Sequence, residues 1–155
     1  MSGTLSTAEM PSTRAEAASA NRFSNTNVAY ALLRLSFGAN IMLHGLSRLL
    51  NGQAVFLAYL DHYFEHAHLI PAASLPIFSV VIPWAETTVG LLVLLGLASR
   101  FAMIAGALVM LCLVIGTNLA QDWVVAGLQL IYCFIYYYLL ANLDQNALSV
   151  DGLRR

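Results

Sequence analysis

Long apolar runs, broken at nearly regular intervals, organise this chain. Four stretches, roughly Val28 to Leu50, Ile77 to Leu97, Phe101 to Ala120 and Val124 to Leu143, carry few charges. Each holds about 20 residues, which at ~1.5 Å rise per residue crosses a ~30 Å hydrocarbon core as helix. The pattern therefore predicts an all-α, integral membrane four-helix bundle. Spans two and three are joined around Ser99-Arg100, and spans three and four by Gln121-Asp122-Trp123. Joints this short force antiparallel neighbours. The first connection, Asn51 to Pro76, is much longer. Apolar and aromatic residues at 56, 59, 60, 63 and 64 mark one helical face there, with Asp61, His62, Glu65 and His66 largely on the other. This predicts a short amphipathic helix between spans one and two, lying on the outer membrane face or capping the bundle, and ended by Pro71 and Pro76. Residues 1–27 are rich in Ser, Thr, Ala and Asn and hold no apolar run that could serve as a signal peptide. They read as a disordered N-terminal tail, followed by a membrane domain over 28–143 and a short tail over 144–155.

Composition agrees with lipid as the solvent. Of 155 residues, 59% are hydrophobic and 10% charged, with no lysine, whereas soluble domains are about a quarter charged. A net charge of −1 leaves no electrostatic footprint for nucleic acid. Arg14 and Arg22 precede span one, Arg100 lies between spans two and three, and Arg154 and Arg155 close the chain. By the bias of basic residues towards the cytoplasm, both termini are expected there. Trp84 and Trp123 then fall towards the outer face, and Tyr136, Tyr137 and Tyr138 towards the inner one, as aromatic belts do.

Against this apolar background a few polar residues stand out. A charge inside a membrane span is costly and needs a partner or a task. On span one, Arg34, Asn40, His44 and Arg48 fall within an arc of ~120° at 100° per residue, so this face should look into the bundle. Span two runs the opposite way and carries Glu86, placed by residue rise between the levels of Asn40 and His44. Helical Cα–Cβ bonds tilt towards the N-terminus, so His44 and Arg48 lean down from the outer edge while Glu86 leans up. Arg34 leans the other way and can snorkel to the cytoplasmic interface. Thr117 and Asn118 end span three, and Gln129 begins span four, on the outer side. The expected site is thus an outer-half cluster of His44, Arg48, Glu86, Asn118 and Gln129, with Asn40 close by and Arg34 apart. The competing reading is that these groups only glue the spans together through interhelical hydrogen bonds.

Other features carry less. His62, Glu65 and His66 have the spacing of an inverted zincin motif, with His68 nearby, but that motif belongs to a protease fold larger than this chain. A solvated polar helix face accounts for them, and no metal site is assigned. Cys112 and Cys133 form no CxxC and read as small packing residues. Tyr132 and Tyr136, four apart, could flank a planar ligand, though bundle packing accounts for them as well. No haem attachment motif, phosphate-binding glycine loop or flavin signature is present.

Taken together, Arg34-Leu35-x-Phe37-Gly38, His44-Gly45-x-x-Arg48, and Glu86 ahead of Gly90 and Leu95-Gly96-Leu97-x-x-Arg100 resemble the DoxX family over about Val28 to Leu143. Those are small four-span membrane proteins of bacteria and archaea, so the resemblance implies a multi-pass inner-membrane location. Arg48 stands where a lysine is common in the family. Some relatives look like subunits of a thiosulfate:quinone oxidoreductase, and others are associated with redox-stress complexes. Arg34, His44, Arg48, Glu86 and Arg100 match the family's polar positions; no particular substrate follows. The leading expectation is a redox-associated membrane protein binding a quinone or another small polar molecule in the outer half of the bundle. In that reading His44, Glu86 and Arg48 act on the ligand, and Asn40, Asn118, Gln129 and Arg34 complete the binding positions. Electrons would come from a partner subunit or from the substrate, and membrane lipid and a homo-oligomer are further expected partners. The alternative is a non-enzymatic scaffold or assembly subunit. A small-solute transporter is a weaker third reading, because the inner half offers few polar groups to line a path.

Overall fold

The computed structural model describes residues 22–154, and the expected tail over residues 1–21 lies outside them. Among the described residues there is no strand. Four long helices, α1 (Asn25–Asn51), α3 (Leu75–Leu95), α4 (Ser99–Leu119) and α5 (Trp123–Ala141), pack side by side. A shorter α2 (Gln53–Tyr63) lies between α1 and α3, and a four-residue α6 (Val150–Leu153) follows α5. Among the described residues, three helical segments are long and apolar enough to cross a membrane: Ala72–Leu95, Ser99–Leu119 and Trp123–Ala141. Helix α1 has the length, but Arg34, Asn40, His44 and Arg48 dilute its hydropathy.

Local chemistry sets the ends of these helices. Ser24 caps α1, its Oγ accepting from the Asn27 amide at 3.3 Å, so the helix begins before the expected Val28 and takes in part of the region read as tail. Pro76 sits in the first turn of α3, where a missing N–H costs nothing. Gly96, at φ +64°, ends α3 in the left-handed region that favours glycine, and the Leu97 and Gly96 amides return to Leu92 and Val93 carbonyls. Asp122 caps α5 by accepting from Val125 N at 3.0 Å.

Helices α1 and α3 form the most intimate pair, antiparallel, because glycines let their backbones touch. A Cβ on Gly38 would meet Leu94 N at 2.5 Å, one on Gly45 would meet Pro83 O and Thr87 N at 2.5 Å, and one on Gly90 would meet Met42 Cα at 2.6 Å. This register sets Glu86 level with the Gly45 turn of α1, close to the depth expected from residue counting. Tyr136 lies over Gly106 and meets Phe37 edge-on at 4.7 Å. It is buried in the core and does not stand in an interfacial belt; Trp84, Trp123 and Tyr137 are exposed. Tyr132 also packs on Phe37, at 5.8 Å. The tyrosine pair thus belongs to the packing of α1 against α5.

The end of the molecule where α1 begins is closed by the C-terminal segment. Residues 144–155 were expected to be a plain tail, yet through Arg154 they fold under the helices. Asp151 N donates to Gly96 O at 3.0 Å, and the Asp151 carboxylate accepts from Ala98 N at 3.0 Å and Ser99 N at 2.7 Å. The tail thereby caps the first turn of α4. Burial alone would raise the Asp151 pKa, but the Ser99 and Ala98 donors outweigh it and hold the carboxyl below its usual range. Arg22 adds bonds to Ala147 O and Gly152 O at 3.2 and 2.7 Å.

Candidate functional site

Two arginines of α1 meet different fates. Arg34 is 2% exposed, so it does not snorkel. Its guanidinium donates to the carbonyls of Val93 (2.7 Å) and Leu94 at the end of α3 and to Leu148 of the tail (2.9 Å). These carbonyls belong to the last turn of α3, where Val93 O also takes the Gly96 amide and the helix dipole places negative charge. Arg34 is a clamp holding α1, α3 and the tail together.

Arg48 pairs with Glu86, and both were expected in one cluster. Glu86 is 5% exposed, while the Arg48 side chain reaches a wetter position and lies 4.8 Å over the Phe56 ring of α2. The ion pair and the cation–π contact fix the guanidinium in one place.

Beside Arg48 lies a half-open cavity of about 390 Å³, lined by α2, the 64–74 connection, the first half of α3, the last turns of α4 and the start of α5. Its walls are mainly apolar: Phe56, Leu60, Phe64, Ile70, Phe78 and Leu113 are among them. Polar groups enter at few points, chiefly Arg48, Thr117, Gln129 and Tyr63. Thr117 Oγ lies 2.8 Å from Gln129 Oε1 and within hydrogen-bond reach of the Leu113 and Val114 carbonyls, so it holds the Gln129 carboxamide at the cavity wall. Tyr63 donates to Asp122 Oδ2 at 2.8 Å, tying the end of α2 to the α4–α5 turn across the cavity. Burial, then the Asp122 carboxylate, push the Tyr63 phenol well above its ordinary range.

The expected residues therefore separate. Arg48 and Gln129 line the cavity, and Glu86 braces Arg48. His44 is exposed, with Nδ1 2.9 Å from Asn40 O one turn back on its own helix, and it does not line the cavity. Asn40 donates to Tyr132 Oη at 3.0 Å, and Asn118 to Val114 O at 2.7 Å; neither lines the cavity. Arg34 sits at the far end of α1. Residue counting placed Thr117 at the outer end of span three, where it lines the cavity, but missed Tyr63, Phe64 and Ile70. The aromatic face of the long connection was their signal, and it read either as lying on the outer membrane face or as capping the bundle.

That face differs from expectation in detail. Phe56 and Leu60 are buried against the long helices, while Val55 and Tyr59 are exposed, so α2 presents apolar groups on more than one side. The helix ends at Tyr63, so His66 lies beyond it and does not share a helical face with His62. His62 and Glu65 approach to 3.6 Å, both exposed, and among the described residues no group of three or more His, Cys, Asp or Glu side chains gathers.

With this arrangement in view, comparison with known families is informative. The DoxX family model matches residues 29–119, more than half of the chain. The chain belongs to the DoxX family. The match runs from the start of α1 to the end of α4, stopping short of the 28–143 extent read from the motifs, so Gln129 and Tyr132 on α5 lie beyond it. No curated protein and no solved structure matches the chain. Membership, together with the three apolar helices, makes this DoxX protein a membrane protein.

Proposed function

We propose that this DoxX protein binds a flat, apolar molecule bearing carbonyl acceptors, of the quinone class, in the cavity beside Arg48. The observation that carries the reading is the combination of an apolar chamber with two fixed donors, Arg48 and the Gln129 carboxamide. Its volume falls within the range of about 300–1,000 Å³ common for ligand pockets. The Arg48–Glu86 pair is close to neutral overall, so the chamber favours a neutral acceptor-bearing head over a free anion. A bound quinone would supply two-electron chemistry, and a partner subunit would supply the electrons. Arg48 would orient one carbonyl and Gln129 would donate to the ligand. Thr117 would position Gln129, and α2 with the 64–74 connection would exclude water. His44 has no place in this binding geometry.

The same reading makes α1 a fourth span. Its two arginines are compensated within the protein, Arg34 by carbonyls and Arg48 by Glu86, which lowers the cost of immersing them. Helix α2 then lies at the outer surface as a cover, with both termini cytoplasmic in a bacterial or archaeal inner membrane. A scaffold function is the second reading, favoured by Arg34, whose bonds all go to backbone carbonyls that hold helices and tail together.

The test is equilibrium binding of a short-chain ubiquinone or menaquinone analogue to the protein in lipid nanodiscs. Gln129→Leu removes one ligand hydrogen bond of about 0.5–1.5 kcal/mol and should weaken binding roughly two- to tenfold. His44→Ala should leave it unchanged. Absence of saturable binding by the wild type would overturn the proposal and favour the scaffold.

A further inference from the structure

At the opposite end of the molecule, a groove of about 740 Å³ runs between the start of α4 and the folded tail. Arg100 and Arg154 both line it, and among the described residues neither forms an ion pair. Asp151 also lines it, but its two oxygens are engaged by the Ala98 and Ser99 amides. The groove therefore offers two exposed guanidinium groups, Arg154 also acting electrostatically on Asp151, beside a carboxylate whose oxygens take backbone amides. Asn146 is 5% exposed and donates to Ser99 Oγ at 2.8 Å, holding the folded tail against the start of α4 at the edge of the groove.

The wall of the groove gives the ligand's other half. Phe101 and Ile104 line it, and they begin a stripe of exposed apolar residues that continues through Leu108, Leu111 and Ile115 along α4. The spacing of three and four residues puts all five on one face of a helix apolar enough to cross a membrane. The groove thus joins a cationic, hydrogen-bonding head to an acyl-chain-length apolar track, at the level where a membrane-crossing helix meets water.

We infer that this groove binds one anionic phospholipid, of the phosphatidylglycerol type. The phosphate sits between Arg100 and Arg154, and one acyl chain lies along Phe101, Ile104 and Leu108. The bound lipid rests on the tail that caps α4, so it ties the C-terminal segment to the membrane surface. This inference is independent of the quinone-class cavity, which lies at the other end of the helices.

Native mass spectrometry of the full-length protein, extracted from bilayers of equal phosphatidylglycerol and phosphatidylcholine, tests it. The wild type should retain one phosphatidylglycerol in preference to phosphatidylcholine. Arg100→Gln with Arg154→Gln should reduce that preference by roughly tenfold or more, given the usual worth of a basic side chain near an anionic lipid. Both arginines are exposed, so the variant should keep its melting temperature in detergent. Phe101→Ser should lower retention while sparing the charge preference. Millimolar inorganic phosphate should not displace the lipid; displacement would reassign the groove to soluble anions and overturn the inference. Equal retention of the two lipids by the wild type, or a preference that survives in the double variant, would also overturn it.

Discussion

Replacing Gly90 by alanine should destabilise the protein, although alanine is the better helix former. Gly90 is where α3 touches the backbone of α1, and a Cβ there would stand 2.6 Å from Met42 Cα and 2.9 Å from Ile41 C. Backbone cannot swing aside as a side chain can. Clearing Met42 Cα alone, from 2.6 Å to the 3.4 Å at which ordinary contact begins, needs about 0.8 Å, and Met42 N stands closer still, so the helices must part locally by more than that. The neighbouring contacts at Gly38 and Gly45 are equally tight, so the pair cannot simply tilt about that point. Overpacking of this kind costs about 1–3 kcal/mol, against a helix-propensity gain of about 0.8–1.0 kcal/mol for alanine over glycine. The net expectation is a loss of up to about 2 kcal/mol. Gly127 supplies the internal control: a Cβ there meets nothing within 4 Å. Gly127→Ala should gain up to about 1 kcal/mol. Thermal melting in one detergent, followed by intrinsic fluorescence, should place the variants on opposite sides of the wild type, at about 2–4 °C per kcal/mol. A Gly90→Ala protein that melts at or above the wild-type temperature would refute the close α1–α3 packing.

Three further outcomes follow from particular contacts. Arg48→Met should cost about 3–5 kcal/mol, because it leaves Glu86 buried without a partner, whereas Glu86→Gln keeps a hydrogen-bonding group beside a partly exposed Arg48 and should cost less than half as much; denaturant titration of the two variants checks the asymmetry. Arg34→Lys retains the charge but loses the guanidinium fork that reaches α3 and the tail together, so it should cost about 2 kcal/mol and quicken protease cleavage beyond residue 143; unchanged cleavage would count against the clamp. Asp151, with its pKa depressed in the folded state, supports tail docking above the ordinary carboxylate range, and this support is lost as pH falls through that range towards the lower folded value. A fluorophore at residue 153 should accordingly lose anisotropy as pH falls through and below the ordinary carboxylate range, and Asp151→Asn should flatten that response.

Much of the helix layout is legible in the chain. Apolar runs and their breakers give the four long helices to within a few residues, because Gly96, Asp122 and Pro76 act locally. Residue rise and side-chain tilt bring Arg48 to Glu86, since both are regular properties of a helix. The fate of His44 was not legible by the same means. A shared helical arc ~120° wide admits both the groove side and the outer side of α1, and a few tens of degrees decide which side chain turns inward. Arg34 shows the converse. Its partners are backbone carbonyls of α3 and of the tail, and a carbonyl has no residue type by which to announce itself. The cavity was half visible. The aromatic spacing of the long connection gives a helix with an apolar side, but that side reads equally as lipid-facing or as the wall of a chamber until α4 and α5 are set against it.

The account's central claim is that the ligand site lies under α2 and the 64–74 connection, and not on the His44 side of α1. Photolabelling with an azido-quinone in nanodiscs, followed by peptide mapping, tests this most directly. Label should fall on the segment containing Phe56 to Ile70 and on the last turns of α4 near Gly116, and excess unlabelled quinone should suppress it. Saturable label concentrated around His44, with α2 and the 64–74 segment unmodified, would contradict the account.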